Sequence, residues 1–162
     1  MSSLFQKLQL KPGMRLTVSG APPEMAKIKN ELTRSAGTSK SELPSAQLYF
    51  VKSCAQIKKL APSAAKKAGS EGLLWIAYPK KSSKKYQSDV GRDDSFSAFG
   101  KLSYEKVRMV ALDDDWSAVR LKAAAHIKTL TRRRETCDSA LGKRKATATA
   151  KAMKVMKMVK KK

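Results

Sequence analysis

A small α/β domain followed by a basic extension is the fold class this sequence predicts, and three observations carry the prediction. Short apolar or alternating segments recur through the first 122 residues, separated by stretches with helix-start and helix-stop residues. The last two of these segments are separated only by Asp113-Asp114-Asp115, a spacing that suits an antiparallel hairpin. Gly142 to Lys162 then holds nine Lys or Arg and no acid.

The elements follow in order. Leu10-Lys11-Pro12-Gly13 is a turn signal, and Met14 to Ser19 alternates apolar with polar side chains, which predicts a first strand. Gly20-Ala21-Pro22-Pro23 breaks it. Pro23 followed by Glu24 suits the first turn of a helix reaching about Leu32, where proline sacrifices no hydrogen bond and an acid favours the helix dipole. Thr33 to Ser45, rich in Ser, Thr, Gly and Lys, predicts a loop, and Ala46 to Val51 a second strand. Ser53 is placed to cap a helix from Cys54 to Ala61, with Pro62 opening a further turn to Ala68. Gly69-Ser70-Glu71-Gly72 stops that helix. Leu73 to Tyr78, apolar on both faces, predicts a central strand of a covered sheet. A short helix is expected from about Asp93 to Lys101, then a fourth strand from Val107 to Leu112 and a fifth from Trp116 to Leu121, with Trp116, Ala118 and Arg120 on one face. Together these make a sheet of about five strands, mostly parallel, with an antiparallel C-terminal hairpin. Lys122 to Arg134 has the composition of a helix. The expected organisation is an α/β domain over 1–122, a helical or linker segment over 123–141 and a basic Lys/Ala/Met-rich tail over 142–162, helical or disordered.

Charge is distributed unevenly. The chain carries 35 Lys plus Arg against 13 Asp plus Glu, a net charge of +22. Residues 123–162 hold 13 bases and two acids, so a quarter of the chain carries half the net charge. Ammonium groups lose several kcal/mol of hydration on burial without an anion, so the tail is expected to lie in water or on a polyanion. The longest strongly apolar run, Leu73 to Ala77, is far short of the roughly 18 residues of a membrane span, and the amino terminus lacks a signal-peptide pattern. A cytoplasmic or nucleoid location is expected. Cys54 and Cys137 stand alone, which predicts reduced thiols rather than a disulfide framework or structural metal.

The opening Lys11-Pro12-Gly13-Met14-Arg15 and the segments Leu73-Leu74-Trp75-Ile76-Ala77-Tyr78-Pro79-Lys80-Lys81-Ser82-Ser83, Ser88-Asp89-Val90-Gly91-Arg92-Asp93, Val107 to Asp113 and Asp115-Trp116-Ser117-Ala118-Val119-Arg120-Leu121 resemble, in this order, a small bacterial family catalogued only as a domain of unknown function. The resemblance covers about residues 7–122 and leaves the tail outside. The order of elements is also similar to a shortened, Rossmann-like class I methyltransferase sheet lacking two middle βα units. That resemblance implies a glycine-rich cofactor turn after the first strand, where this chain has Ser19-Gly20-Ala21-Pro22-Pro23-Glu24. One glycine and two prolines do not reproduce that loop, so no cofactor and no catalytic residue are expected; P-loop and G-x-S-x-G patterns are also missing.

In open α/β sheets ligands collect at the carboxyl ends of the strands. Lys80, Lys81, Ser82, Ser83, Lys84 and Lys85 follow a central strand and offer charges and hydroxyls for anionic oxygens, or else form a solvated loop. Asp89, Arg92, Asp93 and Asp94 are placed to cap the following helix or to pair with these lysines. The run Asp113-Asp114-Asp115 suits a hairpin turn better than a metal, His126 has no catalytic companions in sequence, and Trp75 and Trp116 suit the core. The tail, similar in composition to the Lys-Ala tails of linker histones and basic nucleoid proteins, supports three readings. It is a solubilising extension, an amphipathic helix with Ala152, Val155, Met156 and Val159 on one face for an anionic membrane or acidic protein, or a DNA- or RNA-binding module. The last reading is preferred: Lys143, Arg144, Lys145, Lys151, Lys154, Lys157, Lys160, Lys161 and Lys162 contact phosphates without sequence preference, Arg132, Arg133 and Arg134 extend the footprint, and the tail is largely unfolded until neutralised. The competing expectation is an enzyme derived from methyltransferases, with Lys80, Lys81 and Ser82 at the mouth of its site.

Overall fold

A computed structural model describes residues 3–37, 43–91 and 95–161. Five strands form one mixed sheet in the order β1-β2-β3-β5-β4, with β1 Leu16–Ser19, β2 Ala46–Phe50, β3 Leu73–Pro79, β4 Tyr104–Ala111 and β5 Trp116–Ala123. The first three strands are parallel, and β5 inserts antiparallel between β3 and β4. The parallel start and antiparallel end agree with the sequence prediction. Helices cover both faces. On one, α1 (Leu4–Lys7) and α2 (Ala26–Ala36) pack with Leu48, Phe50, Trp75 and Trp116; on the other, α3 (Cys54–Ala68) and α4 (Ser97–Lys101) pack with Ile76, Val119 and Leu121. Both tryptophans are core, and Trp75 Nε1 donates to Leu8 O at 3.0 Å, pinning the end of α1 over the sheet.

Local chemistry accounts for the boundaries. Ser53 and Gln56 form a reciprocal capping box at the start of α3, and Pro62 sits inside that single helix instead of opening a second. Asp113 Oδ1 accepts from the amides of Asp115 (2.9 Å) and Trp116 (2.7 Å), so the acidic run is a side-chain-stabilised hairpin turn.

Several expectations need correction. Pro23–Met25 is a single 3-10 turn, and the helix proper runs four residues beyond Leu32, to Ala36. Asp89 caps α3 and not the helix that follows it in sequence: its Oδ1 accepts from Cys54 N at 2.8 Å. The other residues of that group, Arg92, Asp93 and Asp94, lie outside the described residues. The hairpin strands are longer than predicted, β4 beginning three residues before Val107 and β5 ending at Ala123. The segment after Lys122 is not an α-helix. It forms 3-10 turns at Ala124–His126 and Arg134–Thr136 joined by extended chain, because Ile127, Leu130 and Cys137 turn inward to meet Ala146.

Candidate nucleic-acid interface

The tail, expected to be helical or disordered and largely unfolded until neutralised, is a helix, α5, spanning Ala140–Val159. Ser139 caps it, its Oγ accepting from Gly142 N at 2.9 Å. Its first turns dock on a buried carboxylate. Glu105 of β4 is 0% exposed and accepts from Asp138 N (3.0 Å), Ser139 N (2.6 Å) and Ser139 Oγ (2.7 Å). An anion at a helix N-terminus is favoured by the orphan amides and by the dipole. Two cations balance the site. Lys106 Nζ lies 3.4 Å from Asp138 Oδ1 with both side chains 5% exposed, and Arg132 Nη1 approaches Glu105 at 3.8 Å and Asp138 at 3.7 Å. Two glycines make the approach feasible: a Cβ on Gly142 would collide with the Glu105 carboxylate, and one on Gly100 with Asp138 O.

Lys145 locks the second turn. Its ammonium donates to the carbonyls of Ala124 (2.7 Å), Ala125 (3.1 Å) and Ile127 (2.7 Å), which commits it to the fold. Lys143 and Arg144 remain exposed, and from Ala150 onward every described residue of the helix is exposed. Those last ten residues of α5 project about 15 Å at 1.5 Å per residue. Lys151, Lys154, Lys157, Lys160 and Lys161 stand there unburied; Lys162 lies outside the described residues. Between them Val155, Met156, Met158 and Val159 are also exposed.

The docking brings together two predicted clusters that are distant in sequence. A groove of about 520 Å³ lies between residues 130–135 and α5, and Arg132, Arg133, Arg134, Lys151 and Lys154 all line it, with Glu135 the one acid among the described residues. Arg133 and Arg134 are exposed, while Arg132 is half-buried in its ion pairs.

The loop at Lys80 to Lys85 is placed elsewhere, at the carboxyl end of β3 and against the hairpin turn. Lys80 Nζ donates to Asp113 O at 2.7 Å, Ser83 Oγ to Asp115 Oδ1 at 2.7 Å, and Lys85 lies 3.9 Å from Asp115. Lys81, Ser82 and Lys84 are exposed around this tether.

A further basic surface escaped the sequence reading. On the hairpin, Arg108 pairs directly with Arg120, and both line a cleft of about 690 Å³ together with Lys122, His126, Lys128 and Arg132. The signal was present: a tight turn at Asp113–Asp115 fixes the register that sets these arginines opposite one another.

No family model, no curated protein and no solved structure matches this chain.

Two outcomes test the docking. Gly142→Ala forces the carboxylate and the helix apart, so it should lower stability by about 1–3 kcal/mol and speed alkylation of Cys137, which is buried beneath α5. An unchanged alkylation rate would contradict the docked helix. Burial pushes the Asp138 carboxyl above its ordinary range, with Lys106 pulling it back and Glu105 adding to the rise. The folded chain thus holds a proton there more tightly than the unfolded chain does. Its contribution to stability is greatest below the unfolded value of about 3.9 and declines as pH rises through the elevated folded value. In urea unfolding from about pH 4 to about pH 7, the stability of the native chain minus that of Asp138→Asn should therefore fall with rising pH; a rising difference would mean that Lys106 and Arg132 outweigh burial.

Proposed function

We propose that this protein binds nucleic acid through the phosphate backbone, without sequence preference, using the projecting part of α5 and the adjoining Arg133 and Arg134. The observation that carries the reading is the groove in which Arg133, Arg134, Lys151 and Lys154 converge although they are far apart in sequence. An exposed helix about 10–12 Å across matches the roughly 12 Å width of a major groove. The exposed side chains of α5 are chiefly Lys, Ala, Met and Val, and lysine meets phosphate as a flexible point charge that carries no sequence information. Each phosphate neutralised releases a counterion, so affinity is strongest at low salt. A nucleoid-associated location follows from this reading.

An enzymatic reading draws on the strand order β1-β2-β3-β5-β4, which is similar to a methyltransferase sheet that has lost its middle units. Against it, Gly20 packs so tightly on Phe50 O that even a Cβ would clash, and Pro22-Pro23 follow directly. Calorimetry with S-adenosylmethionine separates the two: micromolar binding would favour the enzyme, and no heat is expected.

The main test compares duplex DNA binding by the full chain and by a chain ending at Ala150, a cut that leaves the docked turns of α5 in place. The full chain should bind with log affinity falling as log salt rises, and the shortened chain should lose about 0.9 of slope for each phosphate contact removed. Equal slopes would move the interface off α5. Binding of the full chain to anionic vesicles but not to DNA would reassign the exposed Val155, Met156 and Val159 stripe to a membrane surface.

A further inference from the structure

The cleft beside the C-terminal hairpin is separate from the groove along α5, sharing with it only the rib formed by Leu130, Thr131 and Arg132. Its central feature is unfavourable in isolation. Arg108 and Arg120 face each other across an antiparallel pair, where like charges destabilise a sheet. Neither forms an ion pair among the described residues. Arg120 Nη1 donates to Gln9 Oε1, but Arg120 Nε is buried with no hydrogen-bond partner. Burial, and then the proximity of Arg108, lower the Arg120 pKa from its ordinary value, so the cationic form is held at a cost. Gln9 itself takes φ 58°, a left-handed conformation that favours glycine or asparagine at a helix C-terminus. Here its neutral amide oxygen reaches the guanidinium without neutralising it.

The surroundings add charge of the same sign. Lys122, Lys128 and His126 line the cleft, and no carboxylate lines it among the described residues. Lys106 and Arg132 also reach it, but Lys106 is paired with Asp138 and Arg132 with Glu105 and Asp138. The volume of about 690 Å³ falls within the range of small-ligand sites. Two guanidinium groups without a carboxylate partner among the described residues, both lining a concave, cation-rich surface, suit phosphate oxygens, which accept bidentate hydrogen bonds. One phosphate carries too little charge for the four cations Arg108, Arg120, Lys122 and Lys128, whereas linked phosphates carry three or more negative charges over a length of several ångströms.

We propose that this cleft, centred on Arg108 and Arg120, binds an oligophosphate group, either free inorganic oligophosphate or the phosphate chain of a nucleotide. Occupancy places negative charge beside Arg108 and Arg120 and relieves their repulsion. The site is independent of the nucleic-acid reading, because the projecting part of α5 contributes nothing to it.

The test is calorimetric titration of the full chain, of Arg108→Gln and of the chain ending at Ala150, at constant ionic strength, with sodium tripolyphosphate, pyrophosphate and orthophosphate. Tripolyphosphate is expected to bind one to one, at least tenfold more tightly than orthophosphate. Arg108→Gln should weaken it tenfold or more, and the shortened chain should bind within about threefold of the full chain. Without ligand, Arg108→Gln should melt at the same or a higher temperature, since it removes a like-charge contact; a lower melting temperature would identify the arginine as structural and overturn the site. Loss of binding in the shortened chain with retention in Arg108→Gln would place the phosphates on α5 and also overturn it, as would equal affinity for orthophosphate. A nucleoside triphosphate bound more tightly than tripolyphosphate would identify a nucleotide as the source, and equal affinities would identify inorganic oligophosphate.

Discussion

Glu105 is the group around which the C-terminal third of the molecule is arranged. A fully buried carboxylate is tolerable only when its oxygens are occupied, and three hydrogen bonds from Asp138 and Ser139 occupy them. Those donors lie at the start of α5, so satisfying the carboxylate and starting the helix are a single event. Lys106 and Arg132 complete a balanced quartet with Glu105 and Asp138, and removing one member of such a buried set typically costs about 3–5 kcal/mol. The helix thereby acquires a fixed position on the body although half its length, from Ala150 onward, is exposed.

The same arrangement sharpens the electrostatics. Acids are few, and those with structural roles point inward or along the backbone: Glu105 and Asp138 in the ion quartet, Asp113 in the hairpin turn, Asp89 at the cap of α3. Bases are left to face solvent on α5, on residues 133–134 and in the hairpin cleft. With the buried quartet balanced, the net charge of +22 is carried by the groups outside it, which raises local anion concentration and association rates. The docked helix turns a diffuse polycation into a surface with shape.

Much of the sheet was legible. Continuous apolar character in Leu73 to Tyr78 indicated a strand buried on both faces, and β3 is central; the short acidic turn indicated the hairpin. The misreadings share one cause. Whether Asp89 caps the helix before it or after it depends on a contact 35 residues away, and whether residues 124–137 are helical depends on Ile127, Leu130 and Cys137 finding Ala146. Neither contact leaves a periodic trace. The arginine pair was legible in principle, because hairpin register follows from the turn, yet its meaning required the concave wall supplied by Gln9 and residues 126–132.

By itself the sequence determined the α/β class, the parallel-then-antiparallel order of strands and the acid-free basic end, because periodicity, turn residues and charge are local properties that act over a few residues. Only tertiary structure decided that the basic end is a docked helix, that Lys145 belongs to the fold while Lys151 and Lys154 face the groove beside Arg133 and Arg134, and that a cation-lined cleft opens beside the hairpin. Those outcomes rest on one buried carboxylate meeting a helix start more than 30 residues downstream, and on two glycines that let the backbones close around it.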